Sequence, residues 1–288
     1  GLIYEVTLDI IPMKLVIQSY VKANAHRADF EKEYRKTLDT HDGVFGLMDA
    51  STGNIIFETR QYCPKVVKPN RMENLFNHLD RNTFKYFNPV LGALEINWYA
   101  RLIRKLAMGG FGLFNSTFPN GRRTFKALKP IDYSHEYPYR WDFHFWAFPV
   151  SQFPTVVLPA FLKFLKEYKK ERPYFDEKGL MACYRLRVEK NALLSPTFHE
   201  DRMTLDPVRP VTRDQKLMKD WDDFCFAYNE FAVQYGGTCT FNQTKVLSGT
   251  QVEGAYGERW EIFKMARKSV DPENRFLSNY FRKLMEKT

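Results

Sequence analysis

Side chains that can take part in acid–base chemistry interrupt a strongly apolar strand pattern at "WDFHFWAF", residues 141–148. Side chains alternate along a β-strand, so Asp142, His144, Trp146 and Phe148 share one face. An acid, an imidazole and two aromatic rings form the mixed lining that ligand pockets commonly have. The pattern therefore indicates a ligand-binding face. The alternative, that His144 only hydrogen-bonds within the sheet, stays open.

A second candidate strand, "ACYRLRVE" at residues 182–189, carries two arginines in an apolar setting. Arg185 and Arg187 share one face of this strand, and Tyr184 lies on the other. A pair of guanidinium groups on a buried sheet face would suit a carboxylate or an alkoxide. The alternative is that both arginines are solvated cations at the sheet edge.

These two strands must be positioned by the elements around them. Both lie in one strand–helix–strand unit, and sequential strands are neighbours about two-thirds of the time. We therefore predict that 141–148 and 182–189 are adjacent in one antiparallel sheet, with their polar and aromatic faces turned to a substrate.

The apolar periodicity predicts a mixed α and β chain. Residues 141–208 follow the order strand, helix, strand, strand, and residues 15–62 have a similar order. Two such units can pair into one large antiparallel sheet flanked by helices, which is an α+β fold. Further strands are predicted at 3–11 and 202–210, and further helices at 71–108, 213–234 and 258–269.

Composition limits the function classes. The 288 residues carry a formal charge of +9, but the basic residues are scattered and no nucleic-acid recognition motif is present, so a nucleic-acid partner is not expected. No 18-residue apolar run predicts a membrane span. The four cysteines lack metal-ligand spacing, so we expect free thiols, no metal site and a cytoplasmic location. Glycine-rich phosphate loops and G-x-S-x-G are missing from the sequence.

Three patches together resemble one family of enzymes. The end of the chain, "YGERWEIFKMARKSVDPENRFLSNYF", resembles the C-terminal segment of the vanillyl-alcohol oxidase and p-cresol methylhydroxylase superfamily of flavoproteins. The opening "GLIYEVTLDIIP" resembles the last strand of that family's flavin-binding domain. "YNEFAVQYGGTCTFNQTK" resembles the helix, Gly-Gly turn and strand before a lysine near the cofactor. Several members have a histidine where this chain has Cys239 and Asn242, so that role is not carried over.

The resemblance implies a division of the chain. Residues 1–12 would end the flavin-binding domain, 13–245 would form the substrate-binding or cap domain, and 246–288 would return to the flavin domain. The half that binds FAD would lie upstream of Gly1, in the same chain or in a separate partner chain. Whether the chain forms a homo-oligomer stays open.

The function implied is the C-terminal, substrate-binding part of an FAD-dependent oxidoreductase. It would oxidise a small-molecule alcohol, bulky or aromatic, by hydride transfer to the flavin. The residue roles implied are catalytic for Lys245, Arg185 and His144, cofactor-binding for Asn242, Asn279 and Tyr280, and substrate-binding for Tyr184, Arg187, Trp146 and Asp142. Two alternatives remain: a non-catalytic α+β binding or scaffold domain, and an anion or nucleic-acid binder that uses the +9 charge.

Overall fold

The computed structural model describes residues 15–50, 53–63, 124–127, 141–172, 180–211 and 214–286. The predicted strand at 3–11 and the predicted helix at 71–108 lie outside the described residues. The other predicted strands and helices are present, with boundaries shifted by a few residues.

The described chain contains ten strands and six α-helices. The strands are β1 (Leu15–Asn24), β2 (Gly43–Asp49), β3 (Asn54–Cys63), β4 (Thr124–Ala127), β5 (Trp141–Phe143), β6 (Trp146–Pro149), β7 (Leu180–Leu186), β8 (Arg202–Thr204), β9 (Asp206–Pro210) and β10 (Thr238–Cys239). The helices are α1 (Phe30–Thr40), α2 (Leu158–Glu171), α3 (Gln215–Gln234), α4 (Gly249–Tyr256), α5 (Glu258–Val270) and α6 (Asn279–Met285). A π-helical turn, Phe153–Val157, precedes α2.

The strands form one antiparallel sheet in the order β10-β6-β8-β7-β2-β3-β1-β4, and β9 pairs with both β5 and β7. The predicted α+β fold, a large antiparallel sheet flanked by helices, is therefore confirmed. The predicted adjacency of 141–148 and 182–189 is wrong. Strands β8 and β9 both pair with one edge of β7. Strand β8 pairs with β6 on its other side and β9 pairs with β5, so β8 and β9 lie between β7 and the two strands of 141–149.

One face of the sheet carries the hydrophobic core, because alternate residues of each strand point to helices α1, α2 and α3. The strand residues of this helix-covered face include Val44, Met48, Ile55, Phe57, Phe148, Met181, Cys183, Met203 and Leu205. The helices contribute Tyr34, Leu38, Phe161, Leu165, Tyr228 and Phe231. Each fully buried large side chain stabilises the fold by roughly 1.5–3 kcal/mol. This layer therefore holds the helices and the strands in fixed positions relative to one another.

The opposite face of the sheet is set by strand register. Phe45 pairs with Tyr184, Ala182 pairs with Asp206, and Ala147 pairs with Thr204, so these side chains point away from the helix-covered face. We call the group Phe45, Phe145, Tyr184, Thr204 and Asp206 the distal face.

The C-terminal helices α5 and α6 are joined by a turn that hydrogen bonds within the chain hold in place. Helix α5 ends at Val270, as the Asp271-Pro272 pair predicts, and Asp271 accepts hydrogen bonds from the backbone N–H groups of Arg275 and Phe276.

Helix α6 returns and buries Leu284, while the ring of Phe281 lies 5.1 Å from that of Phe241. Phe276 and Tyr280 stay exposed on the outside of this turn. The return of 246–288 to a flavin domain stays a prediction.

Candidate functional site

His144 lies in the core, on the helix-covered face. Its Nε2 is 2.7 Å from Asn229 Oδ1, and its Nδ1 accepts the backbone N–H of Lys245 at 3.1 Å. An Nδ1 that accepts must be unprotonated, so the proton resides on Nε2 and is donated to Asn229. Burial is the main reason that the pKa of His144 falls to about 4. The ring is therefore neutral and held at both nitrogens by groups of this chain.

Trp146 shares the same anchor. Its indole Nε1 donates to Asn229 Oδ1 at 2.8 Å, and the side chain is fully buried. The amide nitrogen of Asn229 donates to the carbonyl of Lys245 at 3.0 Å and to Gln251 Oε1 at 3.2 Å. Asn229 thus ties helix α3 to the sheet and to the start of helix α4. Trp146 was predicted to bind substrate, but its polar atom already has a partner.

Asp142 and Lys245 meet on the helix-covered face as well. Lys245 Nζ lies 2.9 Å from Asp142 Oδ2, and Arg209 Nε lies 3.8 Å from the same oxygen. Arg209 also stacks on Trp221 of helix α3, 4.7 Å from the ring centre, which fixes the side of the sheet that this cluster occupies. The sequence put Asp142 and Lys245 into one reaction site, and the structure joins them as an ion pair.

Arg185 bridges strand β7 to helix α1. Its Nε and Nη2 hold Asp201 at 3.1 and 2.7 Å, and its Nη1 donates to the carbonyl of Leu38 at 2.8 Å. Arg187 is mostly exposed and lies 3.6 Å from Asp201. Both arginines thus share one carboxylate of this chain.

The three residues predicted to bind the cofactor lie apart from these clusters. Asn242 is exposed in the turn that follows β10. Asn279 and Tyr280 begin helix α6, which is capped by the Ser278 hydroxyl. Burial and the neighbouring Cys239 raise the pKa of Tyr280 to about 12. The catalytic, cofactor and substrate roles of all these residues remain predictions.

The distal face holds a different set of chemical groups around Tyr184. The Tyr184 ring is stacked 6.3 Å from Phe45 and lies 6.3 Å from Phe145 in a tilted arrangement, so three rings form a row across the sheet. The Tyr184 phenol lies near enough to the Asp206 carboxyl that each group affects the pKa of the other. Asp206 Oδ1 also accepts the backbone N–H of Trp146 at 3.1 Å. A half-buried phenol thus shields a carboxyl that is almost fully buried.

Burial sets the ionisation of this pair. Removal from water raises the pKa of Asp206 well above its usual range, although hydrogen bonds from Trp146, Tyr184 and Thr204 oppose that rise. Burial and the neighbouring Asp206 raise the pKa of Tyr184, so its phenol stays protonated. A carboxyl with a raised pKa beside a phenol that reaches a surface is suited to general acid–base chemistry.

Sequence reasoning found Tyr184 but missed the acid behind it. Asp206 precedes a proline in "TLDP", and an Asp-Pro pair reads as turn chemistry in a sequence. The usable signal was the alternation of Thr204 and Asp206 with Met203 and Leu205, which predicts a strand with a polar face.

Among the described residues, no cluster of histidine, cysteine, aspartate and glutamate could hold a metal ion. Cys183, Cys225 and Cys239 are buried free thiols, as the sequence predicts. In that same part of the chain, no helix is long and apolar enough to cross a membrane.

Comparison with solved structures identifies the fold. Two structures of cholesterol oxidase from Brevibacterium sterolicum align with TM-scores of 0.55 and 0.54, at 10% identity, over 96% of this chain. The chain spans only 60% of the oxidase. A berberine bridge enzyme variant aligns with a TM-score of 0.41 at 14% identity, over 94% of this chain and 56% of its own. No protein-family model and no curated protein sequence matches the chain.

Proposed function

We propose that this chain forms the substrate-binding part of an FAD-dependent oxidoreductase that oxidises a bulky alcohol. Two lines support the proposal. The three sequence patches resemble the vanillyl-alcohol oxidase and p-cresol methylhydroxylase superfamily, and 96% of the chain aligns with cholesterol oxidase, a protein named for a bulky alcohol. The observation that carries the proposal is the distal face, which combines a row of flat rings with a buried acid. A flavin-binding half, in the same or a partner chain, would complete the enzyme.

The distal face fits a flat, mainly apolar ligand. Phe45, Tyr184 and Phe145 form a row of rings, and stacked or tilted aromatic pairs favour further planar partners. In this proposal, Phe45 and Tyr184 are the residues that would hold the flavin ring and the substrate. When bound, the flavin supplies the hydride acceptor.

The protein's own part is to remove the hydroxyl proton of the alcohol. Above the raised pKa of Asp206, its carboxylate can accept the proton of the Tyr184 phenol, while Tyr184 Oη takes the proton of the substrate hydroxyl. Both O–H bonds that break are replaced by O–H bonds that form, so no charge accumulates on Tyr184. Thr204 steadies the pair, because its hydroxyl accepts the backbone N–H of Tyr184 at 3.0 Å.

The test uses the flavin-loaded holoenzyme that contains this chain and follows flavin bleaching by stopped flow. A panel of alcohols that includes a sterol and a benzylic alcohol supplies the substrate. Tyr184→Phe should slow flavin reduction roughly 10²- to 10⁴-fold, the usual contribution of a general acid–base group.

Tyr34→Phe is the matched control. Its phenol lies on the helix-covered face and has no hydrogen-bond partner in the described part of the chain. Equal reduction rates in both variants would refute the role of the distal face. If the purified protein that contains this chain and its flavin-binding half bound no flavin, the proposed enzyme class would be refuted.

A further inference from the structure

Two arginines are buried and have no carboxylate partner among the residues that the structure describes. Arg202 begins strand β8 and is 7% exposed, and Arg259 lies in the first turn of helix α5 and is 8% exposed. Within the described ranges, neither guanidinium forms an ion pair. Burying a charge without a counter-charge destabilises the fold, so a buried unpaired guanidinium calls for an explanation.

Both arginines donate hydrogen bonds through one nitrogen, Nη1, of their guanidinium groups. Arg202 Nη1 donates to the carbonyls of Ala147 at 3.0 Å and Gly236 at 2.7 Å. Arg259 Nη1 donates to the carbonyls of Leu193 at 3.0 Å and Ser195 at 2.9 Å. In each case Nε is buried and has no partner among the residues that the structure describes, and the four hydrogen bonds above all come from Nη1.

The side with Nε and Nη2 is the bidentate edge of a guanidinium group. Arg185 uses this edge in the same molecule to hold the carboxylate of Asp201. Arg202 and Arg259 therefore keep their strongest anion-binding edge, while their Nη1 atoms fix them to the backbone.

The two guanidinium groups belong to one region of the fold. Thr238 Oγ1 donates to the carbonyl of Pro196, next to an acceptor of Arg259, and lies 3.4 Å from the carbonyl that Arg202 also contacts. Burial lowers the pKa of Arg202, and the positive charge of Arg259 lowers it further.

The surroundings add little negative charge to this region. The exposed Glu200 partly offsets the two cations, and the exposed Glu258 lies beside Arg259 at the start of helix α5. The N-terminal end of this 13-residue helix contributes further positive potential.

We propose that Arg202 and Arg259 form a binding site for a phosphate-type oxyanion. A doubly charged anion balances both cations, whereas a single carboxylate would leave one of them unpaired. Three or four acceptor oxygens also match two bidentate edges. This site includes neither Tyr184 nor Asp206 and does not depend on the oxidoreductase proposal.

The experiment titrates inorganic phosphate against the full 288-residue chain and follows the phosphorus NMR linewidth at constant ionic strength, with chloride as the replacement anion. Arg202→Lys and Arg259→Lys keep the charge but lose the planar bidentate edge, so each should weaken phosphate binding roughly tenfold. Arg172→Lys is the control, because that exposed guanidinium stacks on the Tyr168 ring, 4.6 Å from its centre, as the Arg259 guanidinium stacks on the Tyr256 ring at 5.1 Å.

A second readout does not need the variants. Phosphate should raise the melting temperature of the wild-type chain above its value in chloride, with saturation, because a ligand that binds only the folded state stabilises it. The absence of line broadening with the wild type, or equal broadening with all three variants, would overturn the proposal. Both arginines would then only fasten the 193–196 segment and strand β6 to their neighbours.

Discussion

His144 and Asn229 are joined across the core by a 2.7 Å contact between imidazole Nε2 and amide Oδ1. The two residues are 85 positions apart, and Trp146 donates to the same oxygen. This contact explains how an imidazole and an indole can share a strand face that packs on helices. The side-chain N–H groups of His144 and Trp146 both donate to one amide of helix α3, and His144 Nδ1 accepts the Lys245 N–H, so the two rings are buried at little cost.

The neutral state of His144 should make stability depend on pH. Its pKa is about 4 in the folded chain and near 6.5 in the unfolded chain, so unfolding takes up a proton between these values. The contribution to stability is complete above about pH 6.5 and is lost as the pH falls towards 4. It should amount to about 3 kcal/mol, measured as unfolding free energy in urea at pH 7 and near pH 4.

His144→Gln should remove this part of the pH dependence. It should also cost about 1–3 kcal/mol at neutral pH, because buried partners lose a hydrogen bond. His199→Gln, a change at an exposed histidine, serves as the control and should keep the wild-type slope. If His144→Gln kept that slope as well, the core histidine would not be the source.

The sequence predicted the elements better than their faces. Periodicity gave the strands of residues 15–62 and 180–210, and the α+β class followed from their order. Alternation in 141–148 correctly grouped Asp142, His144, Trp146 and Phe148, but alternation cannot tell which of two faces the helices will cover. That choice depends on Asn229, whose partners are distant in sequence. Asp206 was not predicted as a site residue for a different reason, because an aspartate followed by a proline is typical of a turn.

Lys245→Met tests whether the flavin lies on the distal face or on the helix-covered face of the sheet. Lys245 pairs with Asp142 on the helix-covered face and is 40% exposed, so removing its charge should change stability by less than about 1 kcal/mol. If the flavin lies on the distal face, the flavin reduction rate measured by stopped flow should stay within about twofold of the wild type. A reduction rate lowered by orders of magnitude would move the reaction to the Lys245 side.

Gly249→Ala tests how helix α6 is held. A methyl group at this position would lie 2.8 Å from the carbonyl oxygen of Leu284 and 3.3 Å from that of Glu286, and both are backbone atoms. Alanine favours helices, but this contact must push α6 away, so we expect a net loss of about 1–3 kcal/mol. Limited proteolysis should then cleave the last helix sooner. Thr250→Ala, at the exposed neighbouring position, should leave the cleavage rate unchanged.

Asp206→Asn tests the raised pKa of the buried acid. The folded chain holds the Asp206 proton more tightly than the unfolded chain, whose aspartate pKa is near 3.9. This carboxyl therefore contributes stability that is complete below about pH 3.9 and is lost as the pH rises through its folded pKa. Asparagine stays neutral and can still accept the Trp146 N–H, so urea unfolding of the variant should show a smaller loss of stability between pH 4 and 8.

Asp201→Asn provides the opposite case for that comparison. Partial burial raises the pKa of Asp201, but the Val188 N–H and Arg185 outweigh it and the net pKa is lowered. The contribution of Asp201 to the free energy of unfolding is complete above its unfolded pKa and is lost as the pH falls. Asp201→Asn should therefore lower stability at neutral pH and reduce the loss of stability that the wild type shows at acidic pH. The two variants should thus change the pH dependence in opposite directions. If Asp206→Asn behaved like Asp201→Asn, the pKa of Asp206 would be lowered in the fold and burial would not control the ionisation of this carboxyl.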